Sequence, residues 1–481
     1  MAERIQYAGE YHIKGALIVT PAGNSIDVSG TAIEFNIYED IFVTGLYGDI
    51  TIIDVDNIAE STPIIGQEFL AINITTPGLE DIPIQHNFSI YAVTRREDLS
   101  KGGQLLKLSF CSPEVVRNER IRVQRSFVNT IDNIISSILI NELKTEKKFS
   151  TEVTAGIRNI VSPNFHPHSL INRLTAEAVS QSHAANHFLF YENLHGIHFH
   201  SLEYLYSKSH IQMVESDGMD SAGGEFEGKK QNPLVDFQRP LSFQINSNNH
   251  LLSNIRNGLL GSTMTSYNIF RKNYNIYTYD YFDEFYKTPR TNTNRLMNDG
   301  GESGSFPMYS DGAIDKDSGD VGDFPDSRIH LTSISSASND GIRYDMSHSV
   351  DIFANTDGEY PFIANGMANM LSRDSKLTEL SGGISVTMKL HGHTKISVGE
   401  LIEVRFPPPK GVKGVTTDRY LSGKFLITKA RHTFDNANRK HTVTLLASSD
   451  DLRKKLPSSS AFTKEMVDDA TQKGPRRTHV A

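Results

Sequence analysis

Apolar and polar side chains alternate along residues 28–112, between breaks of Gly, Pro, Asn and Asp. The alternation is clearest at 70–74, 88–92 and 106–110. A period of two residues is that of a strand with one buried face, so this part of the chain is predicted to be β-structure. The same alternation returns over 383–446 and predicts a second β region.

The spacing of apolar residues changes to that of helices in three places. A helix is predicted over 126–139, with Ser126 as its N-cap and apolar side chains along one face. Two more are predicted over 167–185 and 362–371, each with a proline at its start.

The middle of the chain is less regular. Short strands are predicted at 188–191 and 197–202, and the segment 251–286 begins amphipathic and becomes rich in Tyr and Phe. Residues 216–230 are small and polar, and 298–326 contain eight acids and six glycines. Neither of these two stretches can bury much apolar surface, so both are predicted to be exposed loops.

The two β regions repeat one another over a long distance. Several apolar positions correspond at an offset of 337 residues, and the preceding strand corresponds at nearly the same offset. The alternative is chance, because any two alternating strands can be superposed. A true duplication would give the chain two similar β-barrels with helical and irregular material between them. The matched positions are Leu70 with Ile402, Ile72 with Val404, Phe88 with Phe425, Ile90 with Ile427, Leu106 with Val443, Leu108 with Leu445, and the turn glycines Gly66 with Gly399.

Composition excludes several classes of protein. The 481 residues carry 48 Lys and Arg against 57 Asp and Glu, a net charge of −9, which is the wrong sign for a general nucleic-acid binder. Cys111 is the one cysteine; it cannot form an intramolecular disulfide and is predicted to be a small core residue. The longest apolar run, 134–140, is too short to span a bilayer, and the first residues lack an export signal. The chain is therefore expected to be neither exported nor anchored in a membrane.

Both ends of the chain resemble one known family. The stretch 38–68, beginning YEDIFVTG, is similar to the opening of central baseplate hub proteins in contractile-tailed bacteriophages. The stretches 398–407 (VGELIEVRFP) and 420–432 (YLSGKFLITKARH) are similar to the close of those proteins, with weaker echoes at 190–199 and 258–263.

The resemblance implies a homotrimer in which each subunit contributes two tube-type barrels to a pseudo-sixfold ring. Such a ring adapts a hexameric tail tube to a trimeric cell-puncturing spike, since three chains match six tube subunits only if each offers two similar surfaces. The fold class expected is mainly β with inserted helices (α+β): two similar antiparallel β-barrel tube domains plus two smaller α+β regions. The expected divisions are a first barrel domain at 1–115, an α+β middle domain at 116–210, an irregular aromatic-rich region at 211–360, a helix and second barrel domain at 361–456, and a flexible tail at 457–481.

The resemblance also implies partners and a location. The partners are further copies of the chain, the tail tube protein, the trimeric spike protein, and the tape measure and baseplate wedge proteins, with genomic DNA passing only transiently through the channel. The location is the virion tail baseplate, assembled in the host cytoplasm. The aromatic run 267–286 is a candidate interface or, equally, a subdomain core. The alternatives are a tail-associated peptidoglycan hydrolase and the hub of a related contractile injection system.

No residue is assigned a catalytic, cofactor-binding or metal-binding role, and the protein is expected not to be an enzyme. Histidines at 183, 187, 195, 198 and 200 raise the question of zinc, but the HAANH sequence lacks the glutamate of a zincin. Five aspartates between 315 and 326 approach the spacing of a calcium loop, yet Gly319 and Asp320 stand in the wrong places for it. Nucleotide-binding and hydrolase motifs are missing from the sequence.

Four arginines, at 117, 120, 122 and 125, surround Val123. They are interpreted as charges on a solvated edge strand, where they would block unwanted pairing. The alternative is a contact for an acidic partner or a weak phosphate contact in the central channel.

Overall fold

The structure of the chain is a computed structural model. It describes residues 5–54, 64–99, 103–183, 185–215, 233–247, 250–268, 272–292, 305–309, 327–334, 362–407, 417–418 and 420–453.

The first β region forms a module of antiparallel strands in the order β3-β4-β7-β6-β5-β1-β2. Its inner face buries an apolar cluster that includes Phe35, Ile50, Phe88 and Phe110. The predicted strands are present, and the first two precede residue 28, where the clear alternation begins. The strands are β1 His12–Val19, β2 Ser25–Asp27, β3 Ala32–Asp40, β4 Tyr47–Asp54, β5 Phe69–Thr75, β6 Ile84–Asp98 and β7 Gln104–Cys111.

A mixed α and β region follows. The helix predicted from Ser126 begins later, because residues 126–129 pair with a distant strand and their φ and ψ are fixed as extended. The helix predicted over 167–185 ends at Glu177. The two short strands predicted near 190 and 200 are confirmed as a hairpin. The elements are α1 Pro113–Arg120, β8 Ser126–Asn129, α2 Ile131–Ser137 with a π-helical turn at Ile138–Glu142, β9 Phe149–Thr151, β10 Arg158–Val161, α3 Pro167–Glu177, β11 Phe188–Asn193, β12 Gly196–Ser201 and α4 Leu202–Ser207.

The aromatic-rich region contains a three-stranded sheet in the order β16-β15-β17, packed on a long helix. That helix is twice as long as the segment predicted at 362–371. Three predictions lie outside the described residues: the loop at 216–230, the tail at 457–481, and most of the loop at 298–326. The last of these includes the aspartates whose spacing approaches that of a calcium loop. The elements are β13 Gln212–Glu215, α5 Pro233–Asp236, β14 Ser242–Ser247, α6 Leu251–Arg256, β15 Gly261–Asn268, β16 Asn273–Asp280, α7 Tyr281–Phe285, β17 Ile329–Ile334 and α8 Phe362–Gly382.

The second β region forms a module in the order β14-β18-β21-β20-β19, with β13 added in parallel beyond β19. It surrounds a core that includes Val386, Leu426 and Leu445. The fold class, mainly β with inserted helices, is confirmed. The additional strands are β18 Ile384–His391, β19 Leu401–Arg405, β20 Gly423–Asp435 and β21 Lys440–Ser449.

The two modules have the same strand order. The path β3-β4-β7-β6-β5 corresponds to β14-β18-β21-β20-β19, and every pairing along both paths is antiparallel. The register agrees too: Ile90 pairs with Phe110 as Ile427 pairs with Ala447, and a β-bulge follows Ile90 and Ile427 alike. The repeat seen in the sequence is therefore present in the backbone.

The turn before the third strand of each repeat is also shared. Gly66 and Gly399, which correspond to each other in the sequence repeat, have φ of 85° and 80°. Only glycine adopts this left-handed region freely, so both turns require glycine for the same reason.

Candidate assembly surface

The two modules join in one 13-stranded sheet through the pairing of β3 with β20, here called the seam. On its solvent side, Arg431 donates two hydrogen bonds of 3.1 Å to the Asn36 carboxamide oxygen, and Thr433 adds a third at 2.8 Å. The Arg431 guanidinium also lies 5.6 Å from the centre of the Tyr38 ring. The seam is thus held by side chains as well as by the backbone ladder.

Beneath the seam, Glu39 is a buried carboxylate at a three-way junction. It accepts hydrogen bonds from the Leu194 amide at 2.7 Å, the Ser397 hydroxyl at 2.8 Å and the Val398 amide at 3.0 Å. Burial alone would raise the pKa of Glu39, but His432, 3.5 Å away, together with these donors holds it below its ordinary value. The charged form therefore ties the first module to the middle region and to the second module.

A second buried junction fixes the aromatic-rich region to the end of β21. Arg290 forms an ion pair with Glu379 and lies 3.6 Å from Asp450, while the Thr291 amide donates to Asp450 at 2.9 Å. Tyr281 donates its hydroxyl proton to Glu379. Burial raises the pKa of Glu379 to about 7, with Asp450 adding to the rise and Arg290 opposing it.

The histidines considered for zinc are dispersed among local partners. Because α3 ends at Glu177, His183 and His187 do not share a helix face. Burial lowers the pKa of His198 to about 3 and of His200 to about 4, so both rings are neutral. In the described part of the chain no three His, Cys, Asp or Glu side chains are grouped to hold a metal ion. The side-chain contacts are His183 with Glu152 at 3.0 Å, His187 with Glu203 at 2.6 Å, His198 with Asn193 at 2.8 Å and His200 with Ser150 at 3.0 Å.

The interpretation of the arginines around Val123 as charges on an edge strand is wrong for the first two. Arg117 and Arg120 lie on α1, because Pro113 begins a helix there. Arg117 donates to two backbone carbonyls, of Leu143 and Lys144, each at 2.8 Å. This arginine therefore caps the end of the helical segment after α2.

Cys111 is a buried free thiol at the end of β7, as predicted. Burial raises its pKa to about 11, so the thiol is protonated at neutral pH.

The aromatic run divides between the two roles considered for it. Tyr279, Tyr281 and Phe285 are buried against α8 and α6 neighbours, as a subdomain core requires. The opposite face of the same sheet is exposed and apolar. Its exposed side chains are Tyr267, Tyr274, Ile276, Ile329 and Leu331, which the strand register places on one face.

Several strands of the large sheet have an edge that is unpaired among the residues described, β2 and β13 among them. β14 pairs only with β18, and the second half of β6 pairs only with β7, because β5 covers β6 no further than Ser89. The side chains from Thr94 to Asp98 are exposed along this part of β6. Exposed backbone at a sheet edge is a ready template for another strand.

No protein-family model matches the chain. A probable baseplate hub protein, gp334 of Vibrio phage KVP40, is 24% identical over 189 residues, which are 39% of this chain and 43% of that protein. The resemblance to phage baseplate hub proteins is thus confirmed. The chain spans less than half the length of this relative.

Two solved structures are loosely similar along most of the chain. A tail protein from Neisseria meningitidis MC58 has a TM-score of 0.47 at 10% identity, covering 92% of this chain and 97% of its own. The 43 kDa tail protein of prophage MuSo2 from Shewanella oneidensis has a TM-score of 0.47 at 11% identity, covering 91% of this chain and 98% of its own.

Within the described ranges, no helix is long and apolar enough to cross a membrane.

The residues of the seam and of the buried junctions carry no sequence motif. Glu39, Asn36 and Arg290 are polar residues in or beside apolar patterns, and their partners lie up to several hundred residues away. One feature of the sequence could have indicated the junction beneath the seam: Glu39 is a charged residue at the end of an alternating strand.

Proposed function

We propose that this chain is a structural subunit of the baseplate hub of a contractile tail. Three copies form a ring with two similar modules each, and this ring joins a hexameric tail tube to a trimeric spike. The observation that carries the proposal is the duplicated module: the same strand order, register and bulge occur twice in one continuous sheet. The similarity to a probable baseplate hub protein supports it.

The proposed work is geometric and does not require a catalytic centre. Affinity for tube and spike proteins comes from broad permanent interfaces, of the kind that bury aromatic and aliphatic area. The exposed face of the β16-β15-β17 sheet is one such surface on this chain. Further partners in the proposal are the tape measure and wedge proteins, with DNA passing through the channel and the virion tail as the location.

The division into domains at 1–115, 116–210, 211–360, 361–456 and 457–481 is part of the proposal. Four separate apolar clusters support it, centred on the first module, the middle region, the three-stranded sheet and the second module. The second-module cluster also takes in Tyr191 and Leu202 from the middle region, so the domains share a packed boundary.

The test is the mass and symmetry of the purified chain. Light scattering across a concentration series should give three times the 53.6 kDa of the chain, and averaged electron micrographs should show a ring with six similar lobes. A strict monomer, alone and with a spike protein present, would contradict the proposal. A peptidoglycan zymogram should show no clearing; clearing would favour the hydrolase instead.

A further inference from the structure

The internal repeat indicates which strands would pair at the unpaired edges of β14 and of the second half of β6. Within the chain, β3 pairs with the second half of β20 to make the seam. By the repeat, β14 is the counterpart of β3, and β6 is the counterpart of β20. Each of these two counterparts has an edge that lies unpaired in the described part of the sheet.

We propose that β14 of one copy pairs antiparallel with the second half of β6 of a second copy. The contact repeats the seam between chains, and it rests on the proposed function in taking a further copy of this chain as the partner. The two paired surfaces are different, so the contact is head-to-tail, and repeated head-to-tail contacts close into a ring when the rotation permits.

The register of the contact follows from the seam. β6 and β20 share the bulge after Ile90 and Ile427, and β6 has one more bulge, after Val93. The pairing of β3 with β20 can be transferred to β14 and β6 if the extra residue at each bulge is skipped. This transfer gives the residue pairs expected between two copies. The expected pairs are Val93 with Ser247, Arg95 with Asn246, Arg96 with Ile245, Glu97 with Gln244 and Asp98 with Phe243.

Burial differs between the two modules where a strand would be added. Phe35 and Ile37 on β3 are 1% and 0% exposed, because β20 covers their edge. Their counterparts on β14, Phe243 and Ile245, are only partly buried. Val93 on β6 is 40% exposed, whereas its counterpart on β20, Ala430, is buried. An added strand would cover the apolar side chains on both edges.

The polar side chains correspond as well. Arg95 holds the place of Arg431, and Gln244 holds the place of Asn36, so the guanidinium of one copy can donate to the carboxamide oxygen of the next. In the single chain Arg95 forms an ion pair with Glu97 at 2.6 Å, with both side chains about half exposed. The competing explanation is that these charges protect an edge that meets only water.

Disulfide trapping tests the pairing. In a Cys111→Ser background, which copies the serine at the equivalent position 448, Glu97→Cys is combined with Gln244→Cys. Both positions face solvent, and directly opposed residues in an antiparallel pair have Cβ atoms close enough for a disulfide. Oxidation by diamide, which takes up the two electrons and two protons, should give covalent species up to three chains on a non-reducing denaturing gel. Each single variant should remain a monomer on that gel.

The matched control is the Glu34→Cys and Asp435→Cys pair in the seam itself, which should lose both free thiols without change of mass. A trimer by light scattering that gives no covalent species from Glu97 and Gln244 would overturn the strand pairing and leave the proposed function standing. Covalent chains longer than three would keep the pairing and overturn the threefold ring. A monomer that does not cross-link would overturn both.

Discussion

The guanidinium of Arg431 donates two hydrogen bonds to the carboxamide oxygen of Asn36, across the seam between two modules of the same chain. Asn36 is 2% exposed, and its amide group donates to Glu34 and Asp49 on the first module. The residue therefore satisfies polar groups on both sides of the seam at once.

Replacing Asn36 should destabilise the protein more than replacing its partner. Asn36→Ala leaves buried donors and acceptors unsatisfied and is expected to lower the free energy of unfolding by about 2 kcal/mol. Arg431→Lys loses the paired geometry but keeps the charge on a half-exposed side chain, so about 0.5 kcal/mol is expected. Urea unfolding followed by circular dichroism measures both, and equal effects would contradict the role given to Asn36.

Sequence patterns revealed the modules but not how they meet. The strands around Phe88 and Phe425 were predicted because alternation is a local property of each segment. The pairing of Asn36 with Arg431 spans 395 residues, and no local period records it.

The misplaced helix start has the same kind of cause. Apolar spacing at 127, 131 and 134 fits one helix, but the pairing of Phe127 with Ile160 holds the first of these residues in a strand. Tertiary contact overrides helical spacing there. The buried junctions were missed because charged residues with distant partners have no characteristic spacing.

Glu39 should act as an acid-sensitive tie between the modules. Its folded-state pKa is below the ordinary value, so its contribution is fully present above about pH 4.3 and is lost as pH falls through the folded-state pKa. Glu39→Gln puts an amide hydrogen where a backbone or imidazole donor points, and should cost about 3 kcal/mol at pH 7.

Thermal unfolding from pH 3 to pH 7 checks this expectation. The difference between the native protein and Glu39→Gln should shrink toward acid pH, because the native protein alone loses the charged form. Glu177→Gln on the surface of α3 is the control and should change stability by less than about 0.5 kcal/mol. A gap that stays constant with pH would count against a charged Glu39.

Glu379 should have the opposite pH dependence. Its pKa is raised to about 7, so the folded state binds a proton that the unfolded chain releases near pH 4. Stability from this group therefore falls as pH rises from about 4 to about 7. Glu379→Gln keeps an acceptor for Tyr281 and does not titrate.

Comparing the two proteins at pH 5 and pH 8 isolates the effect of Glu379. Between these values the free energy of unfolding of the variant should rise by about 2 kcal/mol relative to that of the native protein, because all other groups titrate alike in the two proteins. The pair Asp450 and Arg290 remains in the variant, so the junction keeps one ion pair. A difference between the two proteins that stays constant from pH 5 to pH 8 would show that Glu379 is ionised throughout.

A polar substitution should destabilise the protein strongly on the buried face of the β16-β15-β17 sheet and only slightly on the exposed face. Met264 is 3% exposed and packs on the core of the aromatic-rich region, so Met264→Ser should cost about 3 kcal/mol through lost burial and a cavity. Leu331, on the neighbouring strand, is 81% exposed, and Leu331→Ser should change stability by less than about 0.5 kcal/mol. The second substitution should still reduce the binding of an apolar dye such as ANS, because it removes part of an exposed apolar face. Calorimetry and dye fluorescence on the same two variants separate a structural face from an interface, and a large loss of stability in Leu331→Ser would mean that this face is already covered.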